Sequence, residues 1–195
     1  MPYGLKKGMI MKEDIKEVLL TEEQLKGLTQ KLGKQISDDY KGKKLVLVSV
    51  LKGSIVFMAD LMRNITIPCE IDFMAVSSYG KAVKSSGNVK IIKDLDRSVS
   101  GVDLLIVEDI LDSGRTLYCL KQLLESRGAN SIRICTLLDK PDRRDEEIKE
   151  NLKADYVGAV IPDAFVVGYG LDYSEKYRNL PYVGILKPSV YGGEE

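Results

Sequence analysis

The chain has 195 residues, 44% of them hydrophobic, which is enough for one substantial core and calls for no second. Its 29 basic and 29 acidic residues cancel, so no global field recruits nucleic acid or an anionic membrane, and any anion binding must be local. Histidine is absent, which leaves acid–base chemistry to carboxylates, lysine or tyrosine.

Cys69, Cys119 and Cys135 are odd in number and sit in apolar-patterned stretches, as suits reduced core thiols rather than a disulfide framework. No apolar run reaches the roughly 18 residues of a membrane span. The N-terminus, with Lys6, Lys7, Lys12 and Glu13, has no signal-peptide core, so a cytoplasmic protein is expected.

In chain order, Ile15 to Leu20 reads as a short strand. Thr21 followed by Gln24 is a capping-box start for a helix with apolar positions Leu25, Leu28, Leu32 and Ile36. Leu45 to Val50 is a nearly continuous apolar run, the mark of a central parallel strand. Leu51-Lys52-Gly53-Ser54 then turns the chain into a helix from Ile55 to about Arg63. A strand over Ile71–Val76 runs into Ser77-Ser78-Tyr79-Gly80, and Lys81 to Asn88 carries no hydrophobic period. Val89 to Ile92 reads as a returning strand. The Asp94-Leu95-Asp96 spacing is not preceded by the strong strand that acyl-phosphate chemistry would need.

The most informative stretch is Val102 to Leu124. The buried-strand run Leu104-Leu105-Ile106-Val107 ends in Glu108 and Asp109; Ile110 and Leu111 follow, then Asp112-Ser113-Gly114-Arg115-Thr116. Leu117, Leu120, Leu123 and Leu124 recur at helical spacing until Gly128. A glycine turn at a helix start makes an anion site, because backbone amides converge there and the helix dipole favours negative charge. Two carboxylates beside such a cradle would repel a polyphosphate unless they serve a sugar diol or a hydrated divalent cation.

Further on, Ile132 to Leu138 reads as a strand ending in Asp139-Lys140-Pro141, which sets Lys140 on the sheet edge already holding Glu108, Asp109 and Lys52. The charged stretch Asp142–Leu152 reads as a short surface helix. From Ala154 the pattern changes to short strands (Tyr156–Ile161, Phe165–Val167, Tyr182–Leu186), expected to form an appendage beside the main sheet.

Four hydrophobics, two acids and a short loop ending in Gly and Thr resemble the phosphoribosyl pyrophosphate motif of the type I phosphoribosyltransferases. Asp112 at the loop's first position resembles the purine branch of that family. The resemblance runs from about Ile15 to Leu186 and implies an α/β fold: a mostly parallel twisted sheet flanked by helices, with a small hood of short strands. It implies one domain over residues 1–195, the core about 15–153 and the hood about 154–186, with a contribution from the N-terminal segment.

The same resemblance implies magnesium-dependent transfer of the phosphoribosyl group from phosphoribosyl pyrophosphate to N9 of hypoxanthine or guanine. Asp112 is then the group that takes or shares the purine N7 proton, and Lys140 donates to the 6-oxygen. Ser78 and Tyr79 close a lid that keeps water from a ribosyl cation-like transition state. Glu108, Asp109 and Asp172 serve magnesium, the first two also the ribose hydroxyls. Ser113, Gly114, Arg115 and Thr116, with Ile110 beside them, hold the 5′-phosphate. Leu51, Lys52 and Gly53 hold pyrophosphate through their backbone, with a non-proline cis peptide between the first two, and Arg178 reaches the same anion. Phe165 stacks on the base and Val166 reads its edge.

Two departures, Ser54 where some members carry a second glycine and Ala164 where some carry lysine, match bacterial members. The implied partners are the pyrophosphate substrate, a 6-oxopurine and further copies of the chain as a dimer or tetramer. Two rivals stand beside this reading. One is a regulator with the same fold that senses nucleotides and binds RNA. The other, a P-loop or dinucleotide enzyme, lacks its GxxxxGK[ST] or GxGxxG pattern here.

Overall fold

The computed structural model describes residues 11–77 and 90–192. Helix α1 (Glu22–Asp39) starts at the expected capping box: Gln24 N–H donates to Thr21 Oγ1 at 3.3 Å, and Thr21 N–H to Gln24 Oε1 at 2.8 Å. Its buried positions Leu25, Leu32 and Ile36 fall on one stripe. The same logic of strand, turn and amphipathic helix gives β2 (Leu45–Leu51) with α2 (Ile55–Asn64), and β5 (Asp103–Leu111) with α3 (Arg115–Ser126).

Strands β3 (Cys69–Ser77), β4 (Lys90–Lys93), β6 (Ser131–Asp139) and β7 (Tyr156–Val160) complete a six-stranded sheet of order β4-β3-β2-β5-β6-β7, parallel except for β4. Alternate residues of the central strands bury against opposite layers. Leu45, Leu47, Leu105 and Val107 pack with Leu25, Leu32, Ile36, Phe57 and Leu61 of α1 and α2. Val46, Val48, Leu104 and Ile106 pack with Leu117, Leu120 and Leu124 of α3. The expected α/β class, a mostly parallel sheet between helices, is the fold observed.

A separate three-stranded antiparallel sheet of order β1-β9-β8 joins β1 (Ile15–Leu20) to β8 (Val166–Val167) and β9 (Val183–Leu186). It has its own small cluster of Val167, Tyr177, Leu180 and Leu186, and the Tyr177 hydroxyl donates to Asp14 at 2.7 Å.

Three expectations need correction. The residues of β7, expected in the appendage, extend the main sheet in parallel beside β6. The cause is polar: the Tyr156 hydroxyl donates to Asp39 at 2.7 Å and accepts from Arg133 at 2.8 Å, fastening β7 to the end of α1. Strand β5 does not stop at the acids but continues through Glu108 and Asp109 to Leu111, paired with β6 as far as Asp139. Residues 142–152 fall into the end of a short 3-10 turn (Pro141–Arg143) and further turns rather than a helix, because Arg144, held by Asp139 and the Asp112 carbonyl, is extended with φ of −62° and ψ of 133° and interrupts it.

Thr21 is exposed, so its substitution tests the cap alone. Thr21→Ala should lower unfolding stability by about 1 kcal/mol, read as a shift in urea midpoint without a change in slope.

Candidate active site

After β2 the chain moves outward to β3, and after β5 it moves the other way to β6, so the crevice between the carboxyl ends of β2 and β5 is the switch point of the sheet. The β2–α2 turn and the β5–α3 turn meet there. The Leu51–Lys52 peptide in the first of these turns is cis. Ser54 fills the place of a second glycine with a fully buried hydroxyl, 2.8 Å from the equally buried hydroxyl of Ser49.

On the α3 side lies a cavity of about 280 Å³ lined by Glu108, Ile110, Asp112, Ser113, Gly114 and Thr116, with Leu51 across from them. Gly114 turns the chain into α3 with φ of 81°, a left-handed conformation that glycine adopts without strain. The N-cap Gly114 has no side chain to offer the first amides of the helix, a start whose geometry suits an anion. The Arg115 guanidinium turns away to pair with Asp145 and does not line the cavity, leaving its backbone as the part near the turn. The Asp112 carboxylate is half-exposed and accepts from Arg143 Nε at 3.3 Å.

The acids stand on opposite faces of β5. Glu108 follows the register of Leu104 and Ile106 and lines the cavity; its Oε2 is buried and has no hydrogen-bond partner among the described residues. Burial first, and the neighbouring Asp109 charge second, push its pKa well above the usual carboxylate range. Asp109 follows Leu105 and Val107 to the other side, 8% exposed, where burial raises its pKa to about 6 against the pull of the Ile110 amide and the Arg178 charge. A Cβ at Gly53 would stand 1.8 Å from Asp109 Oδ2, and one at Gly170 would stand 2.0 Å from the Gly53 carbonyl oxygen. Only bare backbone lets these three layers close up. Arg178 holds Asp172 at 2.7 Å beside this stack and donates to the Gly170 carbonyl at 2.8 Å.

At the end of β6, Lys140 is 6% exposed; its ammonium donates to the Ala164 carbonyl at 2.6 Å and stands 3.9 Å from Asp163. Phe165 presents a part-exposed ring, stacked on Tyr191 at 5.0 Å between centroids and edge-on to Tyr173 at 5.5 Å. Val166 lies in β8 at the edge of the hood sheet. Ser78 and Tyr79 lie outside the described residues.

Two features escaped the sequence reading. Arg144, its side chain 8% exposed, donates to the Asp112 carbonyl and pairs with Asp139, tying the phosphate-type turn to the residue before Lys140. The only sequence signal is the spacing of Ile148 and Leu152, which with Arg144 forms a wall behind Gly114. The other is Glu175, which accepts from Lys52 Nζ at 3.1 Å.

Removing Arg144 leaves the part-buried Asp139 and the Asp112 carbonyl without their partner, so Arg144→Met should cost about 1–3 kcal/mol in urea unfolding. The folded state holds the Asp109 proton more tightly than the unfolded chain, where the pKa is near 3.9. The stability this gives is present in full below about pH 4 and is lost as pH rises through about 6. In chelator, Asp109→Asn should therefore stabilise the protein by about 1–3 kcal/mol at pH 7.5, with the gain vanishing near pH 4.

A family model, the phosphoribosyl transferase domain, matches residues 17–174. The hypoxanthine-guanine phosphoribosyltransferase of Staphylococcus aureus (strain N315) is 56% identical over 181 residues, covering 93% of this chain and 99% of that protein. That of Bacillus subtilis (strain 168) is 55% identical over 182 residues, with 93% and 99% covered. The crystal structure of a Staphylococcus aureus hypoxanthine phosphoribosyltransferase superposes with a TM-score of 0.88 at 55% identity, over 93% of this chain and 97% of that one. A variant of the Trypanosoma cruzi enzyme in a ternary substrates complex gives 0.86 at 42% identity, over 92% and 99%. The chain belongs to the phosphoribosyltransferase family, and its similarity to hypoxanthine-guanine members runs nearly end to end.

Proposed function

We propose that the chain transfers the phosphoribosyl group of phosphoribosyl pyrophosphate to N9 of hypoxanthine or guanine, giving the nucleoside monophosphate and pyrophosphate. The observation that carries this reading is the pair of anion-ready places on the two faces of β5. On one face stand the uncapped start of α3 and the 280 Å³ cavity; on the other, Lys52 and Arg178 stand beside Asp109 and Asp172. A substrate with a monoester phosphate at one end and a diphosphate at the other spans such a site.

The parts divide accordingly. Ser113, Gly114, Thr116 and the Arg115 backbone receive the 5′-phosphate. Glu108 lines that cavity and takes a ribose hydroxyl. Leu51, Lys52, Gly53 and Arg178 receive the pyrophosphate. Phe165 supplies the stacking face, and the unpaired edge of β8 lets the Val166 backbone meet the rim of the base. Lys140 keeps donors for the 6-oxygen, which an adenine amino group cannot satisfy. Asp112 exchanges Arg143 for the purine N7 proton as N9 attacks. Ser78 and Tyr79 belong to the lid in this reading.

The donor set suits magnesium. Asp109 is buried, Glu108 is part-buried at the cavity wall, and both carboxylates have raised pKa values, which an added cation would relieve. Among the described residues no three acidic side chains converge to enclose a metal. Glu108, Asp109 and Asp172 are the residues that would hold the ion. Bound there, magnesium offsets charge on the departing pyrophosphate.

Among the described residues no helix is long and apolar enough to cross a membrane. Self-assembly as a dimer or tetramer completes the reading.

Purified chain given magnesium, phosphoribosyl pyrophosphate and each free base should form the monophosphates of hypoxanthine and guanine but not of adenine; nucleotide sensing with RNA affinity and no turnover would replace this reading with the regulatory one. Asp112→Asn should lower turnover by about 10²- to 10⁴-fold with pyrophosphate-substrate binding kept. Lys140→Ala should narrow the preference for hypoxanthine over adenine by about 10- to 100-fold, measured as a ratio of kcat/KM values.

A further inference from the structure

Lys52 and Arg178 come from segments far apart in the chain, yet they share one carboxylate oxygen. Glu175 Oε2 accepts from Lys52 Nζ at 3.1 Å and stands 3.4 Å from an Arg178 terminal nitrogen. The glutamate is delivered there by a tight hairpin. Tyr173 and Lys176 exchange backbone hydrogen bonds at 3.2 and 3.1 Å, and the two residues between them, Ser174 and Glu175, have φ of 51° and 62°. Positive φ at both central positions is the pattern of a type I′ turn, which asparagine and glycine fill without strain and glutamate does not. The Glu175 amide also donates to Asp172 at 2.9 Å, so the tip is pinned to the acid that pairs with Arg178. A disfavoured residue held in a disfavoured conformation at a site of charge points to use.

We propose that Glu175 is an internal competitor for the pyrophosphate-binding cations, occupying Lys52 and Arg178 in the free protein and swung out when the diphosphate of the substrate arrives. This rests on the transferase reading above. The contact is built to yield, because both members of the Lys52–Glu175 pair are largely exposed and such pairs are weak. The carboxylate keeps two cations from repelling each other in the empty site and lowers the affinity for a diphosphate. It thereby helps pyrophosphate leave after transfer. Glu175 touches neither base nor ribose in this role; it is a positioning residue that tunes one end of the substrate.

The test compares the full chain with Glu175→Gln and with Glu175→Asp, whose shorter side chain withdraws from Lys52. Calorimetric titration of pyrophosphate with magnesium should show binding about two- to fivefold tighter in both variants, and the difference should shrink as potassium chloride is raised. The KM for phosphoribosyl pyrophosphate and the inhibition constant for pyrophosphate should fall by the same factor, while inhibition by nucleoside monophosphate, read at the α3 turn, stays unchanged. Equal or weaker pyrophosphate binding in the variants would overturn the proposal, weaker binding assigning Glu175 to the substrate-holding set. Absence of turnover in the unaltered chain would sink the transferase reading, whereas the titration answers the Glu175 question without it.

Discussion

Two neighbouring carboxylates on opposite faces of one strand, Asp109 buried and Glu108 part-buried with its Oε2 unpartnered among the described residues, are the constraint around which the rest of this molecule is arranged. Glu108 and Asp109 sit where β5 passes the switch point of the sheet, and burial pushes both toward their neutral forms. Around them, glycine-thin layers let Gly53 and Gly170 stack against Asp109, and the start of α3 is left uncapped over the cavity that Glu108 faces.

Most of this was legible in the chain because it is local. Capping boxes, apolar strands and glycine turns act over four to ten residues. The Thr21 cap, the β2 run and the strand-turn-helix around Gly114 accordingly stand where the pattern put them. The motif of hydrophobics, acids and loop likewise carried the family, because backbone geometry and charge at a helix start are written in one contiguous stretch.

What was not legible depends on partners distant in sequence. Residues 142–152 look like a solvated helix by charge alone, but Arg144 is drawn inward by Asp139 and a backbone carbonyl, a competition no periodicity reports. β7 was misplaced because its Gly-containing run resembles the hood strands that follow, and what fixes it to the core is a tyrosine meeting an aspartate 117 residues earlier. The split of Glu108 and Asp109 across β5 needed the strand to continue through them, which two charged residues in succession argue against locally.

The Arg144 bridge has a geometric consequence. One guanidinium grips the Asp112 carbonyl in the β5–α3 turn and Asp139, the residue before Lys140, so the two cannot drift apart independently. The span between them works as a caliper of fixed opening. If the proposed transferase reading holds, a nucleotide reaching from one end of that span to the other would be graded by length as well as by chemistry.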